Sequence, residues 1–319
     1  CWDMTYRSNE PFDDLPLLPP AAALETQAVL RRCITASRAL AELKAVGNLI
    51  PNQAILINAI PLQEAQLSSE IENIVTTQDA LFRAAVIEPE RSDPATREVL
   101  RYRTALRRGY DVMQTGLIDI DLIIEICGVL RGGSVSLRDE EPILIEDVAA
   151  GEAVYTPPRG RARLASLLQN LVDFLAASGD LDPLLRMAVA HYQFEAIHPF
   201  VDGNGRTGRI LNILALVQAG LLDIPVLYLS RYIIHHKAEY YRRLRRVTEQ
   251  GDWQGWLLFI LTAVEETAHW TTGRIVAIRE LFASTTERCR RELPKRVYSK
   301  ELLELIFTQP YIKVKFVVD

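Results

Sequence analysis

Apolar residues recur along most of this chain at three- and four-residue intervals, the spacing that lines one face of an α-helix. Residues 20–46, rich in Ala, Leu and Arg, read as a first helix. Leu67, Ile71, Ile74 and Val75 form an i, i+4, i+7, i+8 stripe, which predicts a second helix over 62–75 with Pro61 in its first turn. Helical patterns follow at 79–87, 94–113 and 117–130. The character changes over 132–158, where a Gly-Gly pair, short β-prone runs at 135–137, 143–145 and 154–156, and Pro157-Pro158 predict a small hairpin. Helices resume at 161–178, 183–198, 206–220, 235–250 and 252–270; 271–292 reads as a helical connector and 299–308 as a further short helix. Residues 7–20, rich in Pro and Asp, read as an extended arm lying over something else, and the run 312–318 is too short to fold by itself. The expectation is an all-α protein with one hairpin.

Composition narrows the class without naming it. At 319 residues, 49% hydrophobic and 24% charged, the chain has material for two or three domains of an ordinary globular protein. A net charge of −5 argues against a non-specific nucleic-acid binder or a membrane-surface protein. Cys1, Cys33, Cys127 and Cys289 lie far apart with no zinc spacing, which fits a reduced, cytoplasmic setting. No apolar run reaches the length of a membrane span, and no export signal is visible. His235, His236 and His269 carry no ligand spacing, and the start at Cys1 leaves a longer gene product open.

One stretch concentrates reactive side chains: His198-Pro199-Phe200-Val201-Asp202-Gly203-Asn204-Gly205-Arg206-Thr207-Gly208-Arg209. Asp182-Pro183 supplies an N-cap and first-turn pair, so the helix from 183 should run to His198 and break at Pro199. His191 and Phe194 share that helix face, which turns the imidazole into a cleft. Glycines at 203 and 205 permit φ > 0, letting successive backbone N–H groups converge on an anion. The free N–H groups of a helix starting near Arg206 add to that nest. Arg206 and Arg209 fall on the stripe of Ile210, Ile213, Leu214 and Val217. Two cations at a helix N-terminus oppose its dipole by roughly 0.3–1 kcal/mol each, and turning them inward without a partner costs more. An anion is therefore expected, and polyphosphate suits the planar fork of arginine. Asp202 beside it reads as a Mg2+ ligand, because that ion takes one or two carboxylates and completes its shell with phosphate oxygens and water. Taken singly, each feature has a plainer reading: a Gly-Asn-Gly turn, a structural histidine, a salt-bridged arginine pair. No GxxxxGK[ST] and no HExxH is present. The conjunction, not any one residue, points to a nucleotide phosphate.

The stretch resembles the Fic motif, H-x-F-x-[DE]-G-N-G-R-x-x-R, with every specified position present. A helical core, a hairpin ahead of the motif and Tyr240-Tyr241 behind it agree with the resemblance, which extends to the N-terminal region of multidomain bacterial-type Fic proteins. Residues 302–318 are similar to the opening of the winged-helix module such proteins often carry. The resemblance implies a Fic helical core over 101–271 with a hairpin flap, a helical N-terminal region over 1–100, and a connector with a partial winged helix over 272–319. It implies transfer of AMP from ATP to a Ser, Thr or Tyr hydroxyl of a target protein, the chain itself included. On that reading His198 is the general base, Asp202 holds Mg2+ on the phosphates, and Asn204 with the loop N–H groups stabilises charge on the α-phosphate. Arg206 and Arg209 hold the outer phosphates. The nucleotide site as a whole comprises Gly203, Asn204, Gly205, Arg206, Thr207, Gly208, Arg209 and, around the base, Tyr240 and Tyr241. Phe200 anchors the loop, and Val154, Tyr155 and Thr156 form a flap that takes a target segment by strand addition. Fic relatives that transfer the γ-phosphate have lysine where Gly205 stands, so the glycine favours nucleotidyl transfer.

Ser68-Ser69-Glu70-Ile71-Glu72-Asn73 resembles the Fic inhibitory motif [ST]-x-x-x-E-[GN], in the N-terminal position that marks class II, within a helix of about 62–73. The resemblance implies that Glu72 pairs with Arg209 where the γ-phosphate belongs, with Ser68 on the same helix face. Two alternatives stay open. The same site could remove AMP from a modified protein, with Glu72 positioning water. A DNA-binding regulator could use the basic cluster Arg242, Arg243, Arg245 and Arg246, though only a complete winged helix would supply the contact, and Glu239 offers these arginines a salt-bridging partner. A homo-oligomer is left open.

Overall fold

The computed structural model describes residues 6–50, 52–86, 92–139, 145–147, 152–177, 179, 181–294 and 296–308. Among them the chain is helical apart from one hairpin, and the run 312–318 lies outside the described residues. Helix α1 (Gln27–Gly47) begins later than composition suggests, because Thr26 caps it by accepting the Val29 amide; residues 20–26 stay in the arm. Helix α2 (Ala54–Ile71) starts ahead of Pro61, not at it, because burial of Ile55, Leu56 and Ile60 holds the preceding turns. It also ends early. Glu72 is its C-cap and Asn73 turns left-handed (φ 62°), a conformation asparagine tolerates, so Ile74 and Val75 fall outside the helix. Helix α3 (Gln78–Val86) and helix α4 (Pro94–Met113), capped by Asp93 with Pro94 in its first turn, follow the sequence pattern. Helix α5 (Ile120–Arg131) is capped by Asp119 and stopped by left-handed Gly132 (φ 72°).

Strands β1 (Ile145–Asp147) and β2 (Glu152–Tyr155) pair antiparallel, with Ile145 opposite Tyr155 and Glu146 opposite Ala153. The run at 135–137 is loop rather than strand; 143 and 144 lie outside the described residues. Helices α6 (Arg161–Ala176), α7 (Pro183–Ile197), α8 (Asn204–Gln218), α9 (Leu229–His235), α10 (Lys237–Gln250), α11 (Trp253–Glu292) and α12 (Lys300–Thr308) complete the chain. α9 has no counterpart in the sequence pattern. The expected helix 252–270 and its connector form a single helix, because Thr271, Thr272 and Ile275 remain buried and carry α11 through.

α7 lies at the centre, buried on nearly every side, with α6, α8 and α11 packed against it. α1 runs along α11, and α2 packs on α4, α9 and the start of α8. A buried carboxylate pins α2 in place. Glu64 accepts from the Ser230 amide at 3.1 Å, from the Ser230 hydroxyl, and from Tyr102 Oη at 3.4 Å. Burial pushes that carboxyl up to about 7. The arm expected from its Pro and Asp content lies against β2, α6 and α7. Phe12 donates its N–H to the Thr156 carbonyl at 2.9 Å, Tyr6 Oη donates to the Val154 carbonyl at 3.0 Å, and Gln193 Nε2 donates to the Pro16 carbonyl at 2.7 Å. A cavity of about 430 Å3 sits between this arm and α7, lined by Leu15, Tyr192 and Trp253 but by none of residues 198–209. Among the described residues no helix is long and apolar enough to cross a membrane. In the basic cluster, Arg242 and Arg243 pair with Glu239, and Arg246 with Asp252, as the salt-bridging reading expects.

Candidate active site

The end of α7 sets the position of His198, its C-cap, which adopts a left-handed conformation (φ 49°) and donates its N–H to the Phe194 carbonyl at 3.0 Å. Such a conformation is uncommon away from glycine and needs support. Arg138, only 4% exposed, supplies it. Its Nε donates to the His198 carbonyl at 2.7 Å and its Nη2 to the Ile197 carbonyl at 3.1 Å, with Pro158 as a third acceptor. One guanidinium thereby satisfies carbonyls that a helix end leaves orphaned. Burial, and Arg138 after it, pushes the imidazole down to about 4. The ring is neutral at pH 7, the state a proton acceptor requires. Its buried Nδ1 has no partner in hydrogen-bonding geometry, and the nearby Glu195 backbone only weakly opposes the downward shift.

Beyond Pro199 the chain closes into a tight loop. Asn204 Nδ2 donates to the Phe200 carbonyl at 2.7 Å, and Asn204 Oδ1 accepts the Phe200 amide at 2.9 Å. Both ends of this amide are spent on the loop, so Asn204 shapes it from within rather than facing outward. Phe200 is buried, the anchoring role expected of it. Gly203 takes φ 91°, and α8 begins at once with Asn204, two residues ahead of the expected start. Gly208 is packed: an added Cβ would lie 2.7 Å from Glu195 Oε1 and 3.0 Å from Phe194.

The two arginines differ in their partners. Arg209, 1% exposed, donates Nε to Ser68 Oγ, Nη2 to the Ser68 carbonyl and Nη2 to Glu72 Oε1, each at 2.8 Å. Burial alone would push the Glu72 carboxyl up, yet Arg209, with Arg206 and Lys237 behind it, holds it net below the usual carboxylate range. Burial also works against the charge on Arg209, and Glu72 overrides it, so that guanidinium is raised. Gly205 makes room for the pair: any Cβ there would collide with the Glu72 carboxylate. Arg206, 2% exposed, instead donates Nη1 to Glu98 Oε1 at 2.6 Å and lies 3.7 Å from Asp202 Oδ1. Asp202 itself is half-exposed and pairs with Arg131. Glu195 lies against Gly208, with Oε1 buried and unpartnered. Burial pushes its carboxyl up to about 7, with Arg209 opposing and Glu72 reinforcing.

The structure therefore gathers His198, Asp202, the loop 203–209, Ser68 and Glu72 at one place. Tyr240 is drawn away. It is buried, its hydroxyl bonded to His191 Nε2 at 2.9 Å and its ring set among His191, Trp256 and Phe259, so it belongs to the core. Tyr241 is the exposed aromatic of the pair, edge-on to Tyr240 at 5.2 Å. In the flap, Tyr155 Oη donates to the Ala196 carbonyl at 2.8 Å and Thr156 Oγ1 to the Ser8 carbonyl at 2.6 Å, which turns both inward. Sequence reasoning passed over Arg138, Glu98, Glu195 and Arg131; each sits in an unremarkable helix or loop and gains its role only by docking. Among the described residues no group of three or more His, Cys, Asp or Glu could hold a metal. A single half-exposed carboxylate beside the glycine loop would suit only an ion that takes most of its shell from other ligands, as Mg2+ on a phosphate does.

This geometry sets a neutral imidazole at one end of a glycine-hinged loop and a buried guanidinium, paired with a carboxylate, at the other, within a helical scaffold. Comparison places it. Residues 30–111 match the Fic/DOC family N-terminal model and 117–216 the Fic/DOC family model, together more than half of the chain; 281–319 match the C-terminal domain of SoFic-like protein adenylyltransferases. The chain belongs to the Fic/DOC family. It is 32% identical over 146 residues to protein adenylyltransferase Fic of Drosophila willistoni, covering 44% of this chain and 28% of that one. Against the Drosophila melanogaster protein of the same name it is 37% identical over 112 residues, 34% of this chain and 21% of the relative. The chain thus spans under a third of the length of these curated relatives. Its fold is similar to a Fic family protein from Desulfovibrio desulfuricans G20 (TM-score 0.62, 23% identity, 91% of this chain and 86% of that one). It is also similar to Fic-1 from C. elegans (TM-score 0.59, 22% identity, 79% and 74%).

Proposed function

We propose that this chain transfers AMP from ATP to a side-chain hydroxyl of a target protein, and that Glu72 holds the site at rest. The observation that carries the proposal is the buried Arg209 at the end of the glycine loop, neutralised by a carboxylate from another element. A buried cation with an internal anion is what a triphosphate site looks like when its own side chain fills it. In the reaction a Ser, Thr or Tyr oxygen attacks the α-phosphorus, the bond to the bridging oxygen breaks, and pyrophosphate leaves. His198, neutral at pH 7, takes the hydroxyl proton. Loop N–H groups at the start of α8 offset charge on the phosphates, and Arg209 holds the outer phosphate once Glu72 has moved. Asp202 is the residue that would hold Mg2+, whose chemistry when bound is to neutralise phosphate oxygens. Arg206, tied to Glu98, fixes the loop from behind, and Tyr241 offers the exposed ring for the base.

Magnitudes agree with a brake of this kind. A hundredfold suppression corresponds to about 2.7 kcal/mol. A pair buried on the arginine side can supply that, even with the glutamate side partly exposed and screened. The chemical test is direct. Glu72→Gly protein is incubated with ATP, Mg2+ and cell lysate, and peptides are examined by mass spectrometry. The proposal expects AMP on hydroxyl side chains and none with Glu72→Gly/His198→Ala; phosphate in place of AMP would contradict it.

A further inference from the structure

We propose that Arg131 is a resident cation on Asp202, occupying the place the Mg2+ of the incoming nucleotide must take, so that the resting site is neutralised from within at both ends. This rests on the nucleotide-site reading above. Arg131 is the last residue of α5, and its backbone is fixed there: left-handed Gly132 ends the helix, and Arg101 Nη1 donates to the Arg131 carbonyl at 3.4 Å. Its side chain runs out across the loop. The Cδ and Cγ atoms lie 3.7 Å and 3.9 Å from where a Cβ on Gly203 would stand, and the guanidinium pairs with Asp202. The stem therefore covers the glycine hinge, and the charge sits on the carboxylate proposed for the metal.

Asp202 has two arginine neighbours with different freedom. Arg206 is 2% exposed, held by Glu98 at 2.6 Å, and only 3.7 Å from Asp202 at its second nitrogen. Swinging its guanidinium off Glu98 would leave a buried charge unpaired. Arg131 is 42% exposed, and an exposed pair yields cheaply to a competitor. Arg131 is thus the cation that can leave. The arrangement mirrors that of Glu72, which sits on Arg209 where a phosphate would. Because metal and phosphate arrive as one species, both internal partners must be displaced together. Nucleotide without metal removes only one of them.

Removal of Arg131 should therefore strengthen metal binding rather than weaken it. The probe is Mn2+, titrated into the full chain with saturating α,β-methylene ATP, whose bridging carbon blocks AMP transfer; free Mn2+ is read by electron paramagnetic resonance. Arg131→Gln keeps the stem over Gly203 and loses the charge. It should bind Mn2+ about two- to fivefold more tightly than wild type, the range an exposed ion pair can contribute. Arg131→Lys, which restores the charge, should return toward wild type, and Asp202→Asn should abolish the tight site in every background. Unchanged or weaker Mn2+ binding in Arg131→Gln, with the Asp202 dependence intact, overturns the role of Arg131 alone. Loss of any Asp202 dependence would instead overturn the nucleotide-site reading beneath it.

Discussion

At the scale of single residues, the loop is shaped by what its glycines exclude. Gly205 leaves the space the Glu72 carboxylate fills, and Gly208 leaves the space for Glu195 Oε1. Gly208→Ala pits two effects against each other: alanine gains about 0.8–1 kcal/mol of helix propensity, while overpacking costs about 1–3 kcal/mol. With the nearest obstacle a buried carboxylate rather than a mobile tip, overpacking should win, and denaturant unfolding should show a less stable protein. A more stable one would mean that Glu195 moves aside freely. His198, Asp202, the glycines and Arg209 were legible because they lie within one stretch of sequence and their chemistry is local. Arg138 and Glu98 were not. Nothing in Ser136-Leu137-Arg138-Asp139 or in the middle of α4 marks a side chain that will reach the loop from far away in sequence. Tyr240 shows the opposite error: its place behind the motif suggested a base-binding ring, but packing on Trp256 took it into the core.

Among the elements, the starts of α4 and α7 were readable where Asp93 and Asp182 each accept a backbone amide of the first turn, whereas the sequence pattern begins α5 three residues early, at 117, ahead of its Asp119 cap. α9 was unreadable because it is seven residues long with no capping side chain. α2 was misplaced at both ends; spacing put Ser68 and Glu72 on one face, and their contact with Arg209 was what the resemblance to the inhibitory motif implied rather than anything the spacing showed. The hairpin brings in a dependence that sequence could not reveal. β2 is tied to the N-terminal arm through the Phe12 and Tyr6 bonds, and the rings of Tyr6, Phe12 and Tyr155 pack with centroids 5.5, 6.1 and 6.4 Å apart. If β2 serves as the target-binding flap, Phe12→Ala should raise KM for the protein target several-fold while leaving ATP affinity unchanged. Steady-state kinetics in the Glu72→Gly background would check this, and an equal loss of ATP affinity would contradict it.

Across the whole molecule, buried titratable groups around the site set opposing pH dependences. His191 is pushed down to about 3 by burial, with Arg209 adding to it, so the folded state refuses a proton that the unfolded chain accepts below its ordinary 6.5. Stability from this group is complete above pH 6.5 and is lost as pH falls toward 3, by at most about 1.4 kcal/mol per pH unit. Glu64 and Glu195, pushed up to about 7, act in the reverse sense: the folded state keeps protons that the unfolded chain releases above 4.5, so stability falls as pH rises from 4.5 through 7. Between pH 4.5 and 6.5 the two trends oppose each other in wild type. A thermal-unfolding comparison should therefore show wild type losing ground to His191→Gln steadily below pH 6.5, and a constant difference would contradict the burial argument. The claim on which the rest depends is that Glu72 occupies, on Arg209, the place of a phosphate. Its most direct test is the initial rate of label transfer from α-labelled ATP by wild type and Glu72→Gly side by side. The account predicts a rise of about a hundredfold on losing the carboxylate; equal rates would contradict it.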